Sequence, residues 1–392
     1  MKGFYVIGVL LWSLLAGLGR VSAQDDSVPL LRYHLHGYLK ALPSQTFDHI
    51  NKDNYGLYIV HNRINQELEI GTRSSWRLEM RNRIFTGDYI QILPGYADLL
   101  ELDRGLVDMT FNWLESDDII GNTTIDRLQF NWYNGPLEIT LGRQRINWGM
   151  HTVWNPNDWF NSYNFLDFDY VERPGSDAAR VQYALANGSK WELAYSPGKF
   201  RNDDVGAIKY AFNTHTYDVQ LLGGIYRDNV AAGLGFAGNL WQAGWKGEIS
   251  WFHPYPHFSD TVARWSATTG IDYVFPNGWY TQLAWLYNEV TGAATSGAAF
   301  VYTSDARQLM PFEHSLLLQA GYPVSPLLQV NAAVIFAPEN NSTIFFPTVS
   351  YSLGDNLVAA AILQVYAGSI EDNYQLQSSA VFVDLKWNFQ VR

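Results

Sequence analysis

The stretch Trp76-Arg77-Leu78-Glu79-Met80-Arg81-Asn82-Arg83-Ile84 decides how this chain folds. On an extended backbone successive side chains point to opposite faces. Trp76, Leu78, Met80 and Ile84 therefore share one face, with Asn82 its single polar exception, while Arg77, Glu79, Arg81 and Arg83 share the other. The segment reads as a strand with one greasy side and one strongly charged side. The same period of two recurs along the chain. Tyr33, Leu35, Gly37, Leu39 and Ala41 oppose His34, His36, Tyr38 and Lys40; Leu128, Phe130 and Trp132 oppose Arg127, Gln129 and Asn131. Trp245, Gly247, Ile249 and Trp251 oppose Lys246, Glu248 and Ser250, and Val381 to Phe389 alternate in the same way almost to the last residue.

A soluble β-sandwich also alternates, because its apolar faces meet another sheet. Two features favour a closed membrane barrel instead. Trp, Tyr and Phe concentrate near the strand ends, as interfacial girdles require. The pattern also persists to the C-terminus, which suits a last strand closing on the first. Only a closed sheet leaves no unpaired edge in lipid. Composition agrees: 16% charged, 15% aromatic, 15 Trp and 24 Tyr, with a mean hydropathy of −0.15. After the N-terminal segment, no run approaches the ~18 apolar residues of a membrane helix.

That N-terminal segment reads as a signal peptide over residues 1–23, with Lys2, an apolar run from Phe4 to Leu18, and Val21-Ser22-Ala23 as a small-residue cleavage site. The expected mature chain, residues 24–392, is one all-β domain: a transmembrane antiparallel barrel of 14–18 strands, 16 or 18 preferred, with a long inward-folded loop. About 18 candidate strands can be placed, one of them near residue 110 and none between those near 193 and 220. Turn signals separate them at Asn134-Gly135-Pro136, Asn187-Gly188, Pro276-Asn277-Gly278, Pro323 with Pro326, and Gly354-Asp355-Asn356. Both termini are expected on the periplasmic side. There is no cysteine, hence no disulfide and no lipidated-cysteine anchor. The formal charge of −12 argues against a nucleic-acid partner.

Residues 142–177 break the pattern. Arg143 and Arg145 continue the face of Leu137, Ile139 and Leu141, where a charge at the lipid midplane costs about 2–4 kcal/mol. They are expected beyond the apolar band or behind a register change. The segment is long enough to be functional and too aromatic to be disordered. It is expected to enter the barrel and narrow the channel, the alternative being an external loop packed on its neighbours. Its rings suit sugar stacking, but packing is their commoner use. Arg77, Glu79, Arg81, Arg83, Arg127 and Arg180, joined by Arg143 and Arg145, are then candidate pore-lining residues. Asp158, Asp167, Asp169 and Glu172 would face them across the constriction, a charge arrangement by which pores select solutes. The same charges could instead pair with one another and hold a filled barrel together.

The strings GRQRINWG (142–149), NPND (155–158) and FLDFDYVERPGSDAARVQY (165–183) resemble those of porin-like outer-membrane barrels of the Bacteroidetes type, and more distantly those of alginate-export and related porin families. The likeness is sharpest over residues 60–185. It implies a diffusion or export channel in the outer membrane of a Gram-negative cell, not an enzyme. The chain departs from many such barrels at its end, where Phe389 is followed by Gln390-Val391-Arg392.

A search for catalysis finds nothing coherent. None of the nine histidines lies in an H-E-x-x-H motif. His34 and His36 share a face without a third ligand, and His253 and His257 flank a proline-restricted turn. No G-x-S-x-G occurs. No cofactor or metal is expected. The expected activity is passive diffusion of small hydrophilic solutes; the alternatives are a selective polysaccharide or nutrient conduit, and a closed barrel serving as structural subunit of an outer-membrane complex. Expected partners are outer-membrane lipid and lipopolysaccharide, the solutes, and a second copy or a complex partner.

Overall fold

The computed structural model describes residues 30–162, 175–200, 202–255, 261–289, 305–370 and 373–391. Residues 1–23 lie outside them. The strands are β1 (Leu31–Asp48), β2 (Asp53–Ile70), β3 (Ser74–Thr86), β4 (Thr110–Glu115), β5 (Ile119–Asn134), β6 (Leu137–Gln144), β7 (Ser176–Ala184), β8 (Lys190–Ser196), β9 (Val205–Thr214) and β10 (Tyr217–Tyr226). They continue as β11 (Asn229–Leu240), β12 (Ala243–Pro254), β13 (Arg264–Val274), β14 (Tyr280–Asn288), β15 (His314–Pro323), β16 (Leu328–Ala337), β17 (Ser342–Gly354), β18 (Leu357–Ile370) and β19 (Asn373–Val391). Two single-turn helices, α1 (Asp88–Ile92) and α2 (Tyr96–Glu101), precede β4. No helix among the described residues is long and apolar enough to cross a membrane.

Every wall pairing is antiparallel, and β1 closes on β19 from Leu35↔Val391 to Asp48↔Ser378. β3 pairs directly with β5, while β4 pairs with β5 alone. The closed wall therefore has 18 strands. That total matches the sequence reading only because two errors cancel. The strand placed near residue 110 is β4, a short addition to one edge of β5. The strand absent between 193 and 220 is β9, whose inward positions are Val205, Ala207, Lys209 and Ala211. Small apolar inward residues erase the contrast between faces, so the alternation is hard to see.

All five turn signals fall on one rim, joining β5 to β6, β7 to β8, β13 to β14, β15 to β16 and β17 to β18. Leu31 and Val391 reach the same rim. The long connections all lie at the other, and the division into short turns and long loops is that of outer-membrane barrels. Outside, cross-strand neighbours Leu283 and Leu318 remain 62% and 52% exposed, a surface that water would disfavour. Aromatic pairs band the short-turn rim: Trp279 stacks on Tyr322 at 4.9 Å, Trp191 meets Tyr210 at 4.5 Å and Trp76 meets Phe130 at 5.0 Å. Trp251 with Trp265, and Trp285 with His314, mark the loop-side rim.

Candidate functional site in the barrel lumen

The chain leaves the wall after β6 and enters the interior over residues 145–162. In the described part, residues 145–162, Trp148, Trp154 and Trp159 are only 1–2% exposed. Trp148 and Trp159 belong to a cluster with Ala194, Ala207, Leu222 and Phe252 on the inner faces of β8–β12. Trp154 packs with Leu286, Leu317, Ile335 and Ile344 on β14–β17. An external loop cannot make these contacts. The inward position is thus fixed by the burial of three indoles, and those rings are taken up by packing, leaving none of the three for sugar stacking.

Polar contacts set the register of the segment. Trp148 Nε1 donates to Glu192, and the Trp148 carbonyl accepts from Gln220 Nε2 at 2.6 Å. Gln282 donates to Thr152. Trp159 Nε1 donates to Ser250 Oγ at 2.9 Å. The His151 ring lies against β13, where a side chain at Gly270 would come within 2.5 Å of Nε2; a glycine there leaves room for the imidazole. Burial first, then the nearby Lys246 charge, pushes the His151 ring down to about 4, with Asp272 opposing weakly.

The opposite wall, β1–β5, presents charge instead of apolar surface. Lys40, Arg63, Arg81, Arg83 and Arg127 all point inward. A β-bulge lets Asp126 join them: Glu79 pairs with Arg127 and Met80 with Ile125, so Asp126 is the extra residue. Such an insertion flips the parity of the strand, and both Asp126 and Arg127 face the lumen. Asp126 accepts from Arg63 Nη1 at 2.6 Å and Arg81 Nη2 at 3.2 Å, and Glu79 accepts from Arg63 Nη2 at 2.6 Å. Arg127 Nη1 donates to the Asp126 carbonyl at 2.7 Å. Arg83 donates to Asn122 at 3.0 Å and lies 5.0 Å over the Phe85 ring. Lys40, His61 and Arg63 are 1–2% exposed, so the lumen is narrow at this level.

The remaining sequence candidates scatter. Arg77 pairs with Glu67 at 3.1 Å near the short-turn mouth. Arg180 faces the lumen and pairs with Glu192, which also holds Lys209 at 3.3 Å. Asp158 is buried in the inserted segment, 3.4 Å from the Trp148 amide it accepts from. Arg145 is exposed where the chain leaves the wall. Asp167, Asp169 and Glu172 lie outside the described residues.

Arg143 is not behind a register change: it pairs in register with the outward Leu128, after Gly142 at φ 107. Residues 103–107 fold over it. Arg143 donates to Asp103 at 2.7 Å, to Asp177 at 2.7 and 3.0 Å, and to the Val107 carbonyl at 2.7 Å. Burial alone would raise the Asp103 carboxyl, but Arg143 and the Met109 and Gly105 amides hold it below its ordinary value. The charge is neutralised in a seam between β4, β6 and β7.

On the long-loop side the lumen widens into a cavity of about 1430 Å³. One wall is apolar, with Leu42, Ile59, Phe85 and Ile120 packed beneath α1 and Tyr96 of α2. The other carries Asp103, Arg143, Asp177, Arg227 and Asp305, and Arg81 and Asp126 lie among its lining. Among the described residues no group of acidic or histidine side chains is arranged to hold a metal. Lys40, Arg63, Asp126, Glu192, Lys209 and Glu248 were not picked out from sequence; inward parity marked Lys40 and Glu248, but Asp126 depends on a bulge that alternation cannot reveal.

No family model matches the sequence, and no curated protein does. Solved structures do match in fold. Pseudomonas aeruginosa OpdO aligns over 92% of this chain and 98% of its own, with a TM-score of 0.61 at 10% identity. Pseudomonas aeruginosa OpdQ aligns over 94% and 100%, with a TM-score of 0.59 at 9% identity. Acinetobacter baumannii OccAB4 aligns over 94% and 100%, with a TM-score of 0.56 at 10% identity. The fold of this chain is accordingly a porin-like β-barrel, closed and antiparallel.

Proposed function

We propose that this chain is an outer-membrane channel of a Gram-negative cell, through which small hydrophilic solutes diffuse passively. The observation that carries the reading is the asymmetric lumen, a closed barrel narrowed by an inserted segment on one side and lined with Lys40, Arg63, Arg81, Arg83 and Arg127 on the other. Such a lumen serves passage, and the basic wall favours anionic over cationic solutes. The apolar belt sits in lipid and lipopolysaccharide. Residues 1–23 act as the export signal and residues 24–392 form the barrel, in the manner of the Bacteroidetes porin-like group whose strings the chain resembles. A second copy or a complex partner against the belt belongs to the same reading. Planar-bilayer recording tests it: the purified chain is expected to give small, anion-preferring steps. Changing Arg77, Arg81 and Arg83 together to Gln moves the reversal potential toward cations; an unmoved potential removes these residues from the conducting path.

A further inference from the structure

One carboxyl group of the wall binds the inserted segment through three of its backbone amides. Glu248 points inward from the middle of β12 and is 3% exposed. Its Oε1 accepts from the Met150 and His151 amides, the latter at 2.6 Å, and its Oε2 accepts from the Asn157 amide at 3.0 Å. The segment from 150 to 157 thus curls around both oxygens. Glu192 makes an instructive contrast. It too accepts from the segment, through Trp148, but Arg180 and Lys209 of the wall neutralise it whether or not the segment is present. Among the described residues no cation lies within ion-pair distance of Glu248, since Lys246, its neighbour on the inward face, pairs with Asp272 at 2.9 Å. A buried carboxylate needs compensation, and here backbone N–H groups of the segment supply it. Removing the segment from its seat would take all three donors away.

We propose that Glu248 is the positioning residue of the constriction, holding the segment across the lumen and so setting the width of the pore. Around it Ser250 Oγ lies 2.9 Å from the Pro156 carbonyl and 2.8 Å from Asn157 Oδ1, and Asn157 Nδ2 donates to the Leu234 carbonyl at 3.0 Å. These contacts fix the register, whereas Glu248 meets three amides at once through the two oxygens of one carboxyl group. A glutamine of the same shape offers one acceptor oxygen and turns its own N–H groups toward the amides, so it breaks the arrangement without changing volume.

The inference rests on the channel reading for its consequence but not for its test. The chain has no cysteine, so a single Val153→Cys reports on the seat of the segment, Val153 being 6% exposed against the β14–β17 cluster. In the full chain reconstituted in lipid vesicles, a water-soluble maleimide is expected to label this cysteine about ten-fold faster when Glu248→Gln is added, with conductance rising alongside and the heat-modifiable gel shift of the folded barrel retained. In a separate Glu248→Gln chain, oxidising an Asn157→Cys, Ser250→Cys pair is expected to restore parental conductance. Equal labelling rates with and without Glu248→Gln overturn the proposal. If Glu248→Gln does not insert, Glu248→Asp carries the same comparison, its shorter side chain being expected to label at an intermediate rate; parental labelling there overturns it equally. Absent conductance in every form rejects the channel reading while labelling still decides the role of Glu248.

Discussion

The two halves of the barrel wall use their inner faces in opposite ways. From β1 to β5 the inward side chains are long and charged, and neighbours on adjacent strands satisfy one another, as Arg63 does with Asp126 and Glu79. From β8 to β17 many inward side chains are Ala, Leu, Ile or Phe, and they are covered by the inserted segment. A lumen half filled by its own chain needs an apolar seat, while the half left toward solute keeps polar walls. The difference shows that constriction here is a packing problem on one side and an electrostatic one on the other.

Removing the segment breaks the comparison most severely. Deleting residues 152–170 should expose the seat, give a several-fold larger single-channel conductance and lower stability together. A large conductance with unchanged stability would mean that Trp154 and Trp159 do not fasten the segment to the wall.

Arg143 tests how a buried charge differs from one at the mouth. It is 4% exposed and ties Asp103 to Asp177, so Arg143→Met strands two buried carboxylates and should cost about 3–5 kcal/mol in urea unfolding of the lipid-embedded barrel. Arg77, 41% exposed beside Glu67, should cost less than about 1 kcal/mol when changed to Met. Equal costs would mean that the seam is wet and the burial of Arg143 incidental.

These contrasts also mark how far the sequence could be read. Period-two alternation located most wall strands because lipid outside and polar lumen inside impose opposite chemistry on successive residues. It failed at β9, where the lumen beside the strand is filled by the segment and the inward positions other than Lys209 are as apolar as the outward ones. It marked residues 142–177 as irregular, since arginines cannot follow leucines on a lipid face, but the cover over Arg143 comes from Asp103 to Val107, about forty residues earlier in the chain. The arginine ladder on β3 was legible. Its carboxylate partner Asp126 was not, because one inserted residue at the bulge shifts the parity on which the reading depends.

His151 sharpens the seated half by pH. Its Nδ1 accepts from the Val153 amide at 3.2 Å, so the proton sits on Nε2 and the ring is neutral. Seated, it titrates near 4; released, near 6.5. The seated state binds the proton more weakly, so this contribution to seating is complete above about pH 6.5 and is lost as pH falls toward 4. The loss amounts to roughly 3 kcal/mol. Labelling of Val153→Cys, divided by that of a free thiol at the same pH to remove the loss of thiolate, should accelerate across that window. Lys246 and Asp272 face the ring, and Glu248 binds its amide, so the informative quantity is the difference between the parent and His151→Asn. An identical pH profile in both would assign the acid response to other groups.

The smallest effect concerns the outer face of the same charged strands. Asn82, the polar exception among Trp76, Leu78, Met80 and Ile84, donates to Asn62 Oδ1 at 3.3 Å and accepts from Thr123 Oγ1 at 2.8 Å, while Asn62 donates to the Tyr38 carbonyl at 3.2 Å. Side chains of β2, β3 and β5, with a carbonyl of β1, thus share a short polar ladder on a surface otherwise made for lipid. Asn82→Val removes the donor to Asn62 Oδ1 and the acceptor of Thr123 Oγ1 and should cost about 1 kcal/mol. Changing Asn62, Asn82 and Thr123 together to Val removes the unmet groups along with the bonds and should be close to neutral. If the triple variant is instead the less stable by more than the single one, the ladder is holding β2, β3 and β5 in register, and the outer face shares with the lumen the work of aligning this half of the wall.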